Sequence, residues 1–456
     1  MKSHAYQNKG VAVFGLGKSG LSTAQHLHDG LANVVVWDDN PAGRAAADKA
    51  GLKLQDFETS GMQGAETLIL SPGVPLTHPK PHPVVELARR SNINVVGDVE
   101  VFVREKQAGK VVGITGTNGK STTSALIYHM LDNANFSSAL GGNIGTPVMD
   151  LPELGDKGAY ILELSSYQLD LTPSLKADIA VILNVTPDHL DRHGDLAAYT
   201  AVKSRIFKNQ DTSCLAVVNI DDAICNGLAS KISASNNQKL VPISVKTVVD
   251  EGVSVINGVL TDTTDGGAGW TLDVSQMTGL RGEHNWQNAA AAVAVTRSLG
   301  LDNQQIADGL RTFGGLAHRM EQVGTYENVQ FINDSKATNA EAAEKSLASF
   351  KSIYWICGGV PKAGGIEKLA PFFSNICKTY LIGKAADEFA ATLEGQLPYV
   401  KCDNLEDAVK TAALDASRFE GSATVLLAPA AASFDQFKSF EARGDAFREI
   451  VKRMSE

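Results

Sequence analysis

The chain has 456 residues, of which 43 % are hydrophobic and 20 % charged, with 42 glycines and a formal net charge of −10. This is a folded globular composition, too long for one ordinary core and predicting about three domains; the acidic balance disfavours a nucleic-acid binder, whose phosphate partner demands a basic footprint. The five cysteines (Cys214, Cys225, Cys357, Cys377 and Cys402) are scattered without C-x-x-C spacing, and neither the N-terminal MKSHAYQNKG nor any later stretch supplies a secretory or spanning apolar run, so a soluble, cytoplasmic chain in a reducing compartment is expected, with no membrane partner.

The first segment opens with a strand at Val11–Phe14, a glycine-rich turn Gly15-Leu-Gly17-Lys18-Ser19-Gly20, and a helix to about His28. A second strand, Val34–Trp37, ends in Asp38-Asp39-Asn40, and a third, Thr67–Leu70, ends in Ser71-Pro72-Gly73. On these residues alone the pattern is a dinucleotide fingerprint, with Asp38 at the ribose position, and a dehydrogenase is the obvious inference. The same turn can hold any diphosphate, and a purely structural turn is a further alternative.

The second segment begins near Lys110 with a strand at Val111–Thr115. It carries Gly113-Ile-Thr-Gly116-Thr117-Asn118-Gly119-Lys120-Ser121-Thr122 and then an apolar-periodic helix, Ser124–Leu131. Backbone N–H groups of such a turn converge on one anion, and the helix N-terminus adds partial positive charge. Lys120 would reach the β- and γ-phosphates of ATP or a similar nucleotide, while Ser121 would ligate Mg²⁺. The usual glycine six positions before the lysine is Ile114 here. Further strands are predicted at Tyr160–Leu164, Ile179–Asn184 and Leu215–Asn219. Glu163 closes an apolar run where a solvated charge is unexpected, which makes it a candidate Mg²⁺ ligand. His189, in Asn184-Val-Thr-Pro-Asp-His189, has the placement of a metal ligand. Lys203, on a predicted helix over Leu196–Phe207, reads by itself as a solvated surface lysine.

The third segment starts after Gly314-Gly315, with strands predicted at Val329–Ile332, Ile353–Cys357, Tyr380–Ile382 and Val425–Ala428. Alternation of strand, turn and helix throughout predicts α/β domains with mainly parallel sheets, divided as 1–108, 109–315 and 316–456. Ligands of such sheets sit beyond the carboxyl ends of the strands, where the polar clusters lie.

Nine blocks carry a family resemblance over essentially the whole chain: TGTNGKST (115–122), GGNIG (141–145), LELSSYQL (162–169), NVTPDHLDRHG (184–194), YTAVKSRIF (199–207), GEHNWQNAAAA (282–292), HR (318–319), NDSKATN (333–339) and SFDQFKSFEARG (433–444). In these the chain resembles the Mur ligases, and LELSSYQL with SFDQF points to the branch that adds D-glutamate to UDP-N-acetylmuramoyl-L-alanine in peptidoglycan synthesis. The resemblance implies a Rossmann-like nucleotide-sugar domain, a P-loop ATPase domain and a Rossmann-like C-terminal domain. It implies a monomeric, ATP-dependent ligase that forms an acyl phosphate and then an amide through a tetrahedral intermediate.

By motif, the resemblance implies Ser121 and Glu163 as ligands of a first Mg²⁺, and His189 with a carbamylated Lys203 at a second. It implies ATP contacts from Asn288 and Arg319, a ribose contact from Asp334, and a phosphate or substrate contact from Asn143. Lys336, Thr338, Ser433 and Phe440 would belong to the D-glutamate pocket. In place of the family's Gly-Gly-x-x-Lys stretch, with an acid before the lysine, the chain reads Cys357-Gly-Gly-Val-Pro361-Lys362; Lys362 is the expected carboxylate contact. The first domain would then bind UDP, with Gly15, Gly17, Lys18, Ser19 and Gly20 at the diphosphate, Asp38 and Asp39 near the uracil or ribose, and Ser71 and Gly73 bordering the cleft. Competing readings are a sister ligase adding another amino acid or acting on a folate, an NAD-dependent oxidoreductase, and a non-catalytic nucleotide-binding regulator.

Overall fold

The computed structural model describes residues 5–455 apart from Gln63, Gln107, Ala268 and Ala363. The first four residues of the N-terminal stretch and the alanine after Lys362 therefore lie outside the described residues. The described residues build three sheets. The first contains β1 (Gly10–Phe14), β2 (Asn33–Trp37), β3 (Lys53–Leu54), β4 (Thr67–Leu70) and β5 (Asn94–Val96), in the order β3-β2-β1-β4-β5. All of its neighbours pair in parallel.

The second sheet comprises β6 (Lys110–Thr115), β7 (Ser138–Gly142), β8 (Ala159–Glu163), β9 (Ile179–Ile182), β10 (Leu215–Asn219), β11 (Lys239–Ser244), β12 (Val253–Ile256), β13 (Val259–Asp262) and β14 (Trp270–Asp273). Its order is β14-β13-β12-β11-β10-β9-β6-β8-β7. It is parallel from β7 to β12, and the last two strands fold back antiparallel. The third comprises β15 (Glu321–Tyr326), β16 (Val329–Asn333), β17 (Ile353–Gly358), β18 (Ile376–Ile382), β19 (Tyr399–Lys401) and β20 (Ala423–Leu427), ordered β15-β16-β20-β17-β18-β19. Only β15 runs antiparallel to its neighbour.

The strands β4, β9 and β20, apolar but for Thr67 in β4 and Thr424 in β20, are buried along their whole length, as expected for parallel strands covered on both faces. The chain divides into two compact units, one running to Ser275 and including Glu283–Thr312, the other made of Gln276–Gly282 with everything from Phe313 onward. Within the first unit a single apolar cluster runs from Val11 and Val36 of the first sheet to Leu162 and Ile182 of the second. Polar ties reinforce it: Ser22 Oγ donates to Asp150 at 2.7 Å, and Glu100 accepts from Ser174 N at 3.0 Å.

Several expected boundaries shift. β8 stops at Glu163 rather than Leu164, and β9 stops at Ile182, which frees Asn184 for side-chain work. The helix from Leu196 ends at Ser204 and tightens into a 3₁₀ turn over Arg205–Phe207. β18 begins at Ile376, four residues before the expected start. Lys378 and Thr379 had broken the apolar run; in the fold Thr379 is fully buried and Lys378 pairs with Asp415 at 2.8 Å.

Candidate active site

The Gly116–Lys120 turn, the expected phosphate loop, is built by its neighbours. β6 delivers Thr115, Gly116–Gly119 turn, and the helix Lys120–Asn133 departs. Gly119 caps that helix with φ 88°, and a Cβ there would lie 2.5 Å from Asn288 Oδ1, so both backbone angle and space require glycine. Asn288 itself is buried: it accepts from Thr123 Oγ1 at 3.1 Å and donates to Asn285 at 3.1 Å, bracing the loop from beneath. Asn118 N donates to Asn184 Oδ1 at 2.8 Å, and Thr186 N donates to Thr117 Oγ1 at 3.0 Å. The Lys120 ammonium lies over the turn, donating to the carbonyls of Gly116 and Thr117 at 2.9 Å each. Ser121 and Thr122 occupy the first helical turn, half-buried.

Glu163 ends β8 with 1 % exposure. Its Oε1 accepts from Asn143 Nδ2 at 2.8 Å, while Oε2 is buried with no hydrogen-bond partner. A buried carboxylate oxygen left in that state costs several kcal/mol, of order ~1–3 even for a neutral group. Such a group fits a divalent cation.

Lys203 corrects its sequence reading. It is no surface lysine but 1 % exposed, donating to Gly116 O at 2.8 Å with its Nζ 4.7 Å from the centre of the Tyr199 ring. Burial, aided by the neighbouring Lys120 charge, pushes its ammonium down to about 7. Its helical position gave no hint, because one face of Leu196–Ser204 packs inward through Tyr199 and Val202 as well. His189 stands on the rim with φ 53° and a half-exposed side chain, 3.4 Å from Asp188 and 5.1 Å from the Tyr167 ring centre. Among the described residues, no group of three or more His, Cys, Asp or Glu is arranged to hold a metal.

Part of LELSSYQL is structural. Ser165 and Gln168 form a reciprocal capping box on the short helix Ser166–Asp170. Arg192, absent from the expected site, donates to the carbonyls of Gly73 and Val74 at 3.0 Å each and stacks over Tyr167 at 4.6 Å. It thereby joins the loop after β4 to the loop that carries His189. Its signal was its place inside NVTPDHLDRHG; nothing in its spacing showed the direction it faces.

At the first sheet, Asp38 accepts from the backbone N–H groups of Leu16 and Asn40, so its carboxylate shapes the glycine turn. Asp39 bonds His82 at 3.0 Å and lines a cleft of about 210 Å³ with Phe14, Trp37, Pro83 and Arg90. Gly17 and Lys18 are exposed, Ser19 is half-buried, and Gly15 and Gly20 are buried. Lys18 Nζ reaches Gly145 O, in the GGNIG block, at 3.4 Å. Asp98, also unforeseen, is buried beside Ser19, and burial raises its carboxyl above the ordinary value.

In the C-terminal unit, Asp334 follows β16 and is buried, accepting from Ser346 Oγ and from Met320 N at 3.3 Å. Burial raises its carboxyl to about 6. The positive charge of Arg319 opposes that rise. Lys336 Nζ sits 4.1 Å above the Phe440 ring, Ser433 is buried, Thr338 is half-buried and Lys362 is exposed. Val360 and Ala432 exchange backbone hydrogen bonds at 2.7 and 3.0 Å, which ties the Lys362 loop to the Ser433 loop.

Three family models match the chain in order: the Mur ligase MurD-like N-terminal domain at 9–97, the Mur ligase middle domain at 114–296, and the Mur ligase glutamate ligase domain at 318–431. A relative from Caulobacter vibrioides (strain NA1000 / CB15N), UDP-N-acetylmuramoylalanine--D-glutamate ligase, is 49 % identical over 99 % of this chain and 97 % of its own length. The chain belongs to the Mur ligase family. A Rhizobium meliloti (strain 1021) relative of the same name is 48 % identical, covering 97 % of this chain and 96 % of itself. Among solved structures, UDP-N-acetylmuramate-alanine ligase MurC from Thermotoga maritima matches at TM-score 0.57 and 18 % identity, over 98 % of this chain and 99 % of that one. A UDP-N-acetylmuramoyl-L-alanyl-D-glutamate--2,6-diaminopimelate ligase matches at 0.58 and 19 %, over 88 % and 89 %. These two likenesses show the Mur ligase fold, three α/β domains with mainly parallel sheets. The middle-domain match spans Lys120, Glu163, His189, Lys203 and Asn288 of this Mur ligase.

Proposed function

We propose that this Mur ligase joins D-glutamate to UDP-N-acetylmuramoyl-L-alanine with cleavage of ATP, in the cytoplasmic assembly of peptidoglycan precursors. The observation that carries the reading is full-length identity of 47–49 % to relatives that bear that activity in their names. The division into domains at 1–108, 109–315 and 316–456 belongs to the same proposal, as does a monomeric state.

A carboxylate is a poor electrophile until one oxygen becomes a phosphate leaving group. The substrate's terminal carboxylate oxygen attacks the γ-phosphorus of ATP, the bond to ADP breaks, and an acyl phosphate forms. The free amine of D-glutamate then adds to the carbonyl carbon, and the tetrahedral intermediate expels phosphate to leave an amide. The protein's part is positioning and charge neutralisation.

The backbone of Gly116–Gly119 and the start of the helix, with Lys120, Ser121 and Thr122, cradle the phosphates. Asn288, Arg319 and Asp334 serve the nucleotide, Asn288 from beneath the loop. Ser121 and Glu163 would hold one Mg²⁺, for which the unpartnered Oε2 of Glu163 is the supporting observation. A second would be held by His189 and Lys203, but a lysine amine hydrogen-bonded to Gly116 O does not fit a cation. Carbamylation removes the mismatch, and an amine near neutrality is the form that reacts with CO₂. Bound Mg²⁺ supplies charge neutralisation around the transferred phosphoryl group.

The glycine turn, Lys18 and Ser19 face the diphosphate of the nucleotide sugar, and the Asp39 cleft suits its uracil end. Asn143 stands by the reacting end, while Ser71 and Gly73 border the path between. Lys336, Thr338, Lys362, Ser433 and Phe440 receive D-glutamate. The test is phosphate release from ATP and Mg²⁺ with UDP-N-acetylmuramoyl-L-alanine, comparing D-glutamate with L-glutamate, glycine, L-lysine and L-alanine. Release with D-glutamate alone is expected; release with another amino acid moves the activity to a sister ligase, and none at all removes the proposal.

A further inference from the structure

The helix Phe440–Ser455 turns one arginine into the protein. Arg443 is 1 % exposed and makes four hydrogen bonds. Nε donates to Ser335 Oγ at 3.0 Å and Nη2 to Ser335 O at 2.9 Å. Nη1 is shared between Ala431 O at 3.2 Å and Gly358 O at 3.4 Å. The three acceptor residues lie at the carboxyl ends of β16, β20 and β17, where a sheet of this kind presents its ligand loops. Ser335 immediately precedes Lys336, Gly358 stands four residues before Lys362, and Ala431 two before Ser433. Ser335 Oγ also donates to Phe440 O at 2.8 Å, so the start of the helix is drawn into the same knot.

Burying a cation among uncharged acceptors costs more than filling the same volume with an apolar side chain. Burial lowers the guanidinium to about 10, with Asp435 opposing, so the charge persists at neutral pH. A packing role alone gives no reason for that cost. Five donors in a rigid planar fork do: no other side chain reaches three loops at once.

We propose that Arg443 is a positioning residue that fixes the spacing of the three loops bearing Lys336, Lys362 and Ser433, and through them sets the affinity for the incoming dicarboxylate amino acid. The inference rests on the D-glutamate reading of that pocket. Its four acceptors all lie on the loops that carry these three side chains, so the KM for D-glutamate is the constant that moves most.

The test compares wild type with Arg443→Lys, Arg443→Met and the milder Ser335→Ala, which removes one acceptor. Steady-state phosphate release is measured while D-glutamate, ATP and the nucleotide sugar are varied in turn. The expected result is a KM for D-glutamate raised about tenfold in Arg443→Lys and more in Arg443→Met, with the KM for the nucleotide sugar within about twofold and that for ATP, whose proposed contact Asp334 adjoins Ser335, rising less than that for D-glutamate. Ser335→Ala is expected to give a rise of about threefold. Hydrogen exchange should quicken in the peptides over 334–339, 357–362 and 430–434. If the arginine variants do not fold, the Ser335→Ala measurement decides. An unchanged KM for D-glutamate, or three KM values rising together, overturns the inference. A wild type that releases phosphate with a different amino acid overturns the D-glutamate reading as well, and so separates the two failures.

Discussion

Asp334 offers a sharp thermodynamic test. Its carboxyl belongs near 3.8 in an unfolded chain and is raised to about 6 in the fold, chiefly by burial. Between those values the native protein holds more of this proton than the unfolded chain does. The group's contribution to stability is therefore fully present below 3.8 and is lost as pH rises through 6. At about 1.4 kcal/mol per pKa unit, a rise of about two units removes roughly 3 kcal/mol of stability between pH 4 and pH 8. Asp334→Asn abolishes the titration while keeping shape and hydrogen bonds, since the amide can accept from Met320 N and donate to Ser346 Oγ. Urea unfolding of both proteins from pH 4 to pH 8 is the assay, with hydrogen exchange of peptides over 320–350 reporting the C-terminal unit. The variant should gain on wild type by about 3 kcal/mol across that range, every other titrating group cancelling in the difference. A difference that stays flat, or that grows in favour of wild type as pH rises, would refute the reasoning.

Lys120→Ala should abolish ATP cleavage with the fold intact by circular dichroism; near-normal turnover would remove the P-loop assignment. Lys203→Ala should lose activity and regain part of it with added short-chain carboxylic acids, which would stand in for the carbamate; absence of rescue at any concentration counts against carbamylation. Gly142→Ala should destabilise by at least ~1–3 kcal/mol in thermal melts and depress turnover, because φ is 101° and the new Cβ would lie 2.3 Å from Glu163 O. Wild-type stability and activity in that variant would mean that the turn beside Glu163 has room to move.

Much of the site was legible where chemistry and backbone demand coincide. Gly119, Lys120 and Ser121 declare themselves because a phosphate turn needs those residues in that order, and Glu163 because a charge closes an apolar strand. The sheet cores were legible for the same reason, through runs such as Thr67–Leu70, found with its bounds unchanged. Lys203 was not legible from its own helix: its burial comes from Gly116 and Tyr199, the former far away in sequence. Arg192 and Arg443 escaped because a guanidinium bonding to carbonyls leaves no acidic partner in the sequence to betray it. The strand β7 and the antiparallel strands β13 to β15 escaped because they are short, or half-exposed and mixed in polarity, as in the Glu321–Tyr326 pattern.

The grip of Arg192 on Gly73 and Val74 turns the first unit into a gauge. On the proposed assignment of the glycine turn to the diphosphate and the Gly116–Lys120 turn to ATP, this tie helps to set the span between the two. An acceptor would then be chosen by its reach as much as by its head group: a nucleotide sugar whose arm is one residue too long or too short would dock correctly at the uracil and still present its acid in the wrong place.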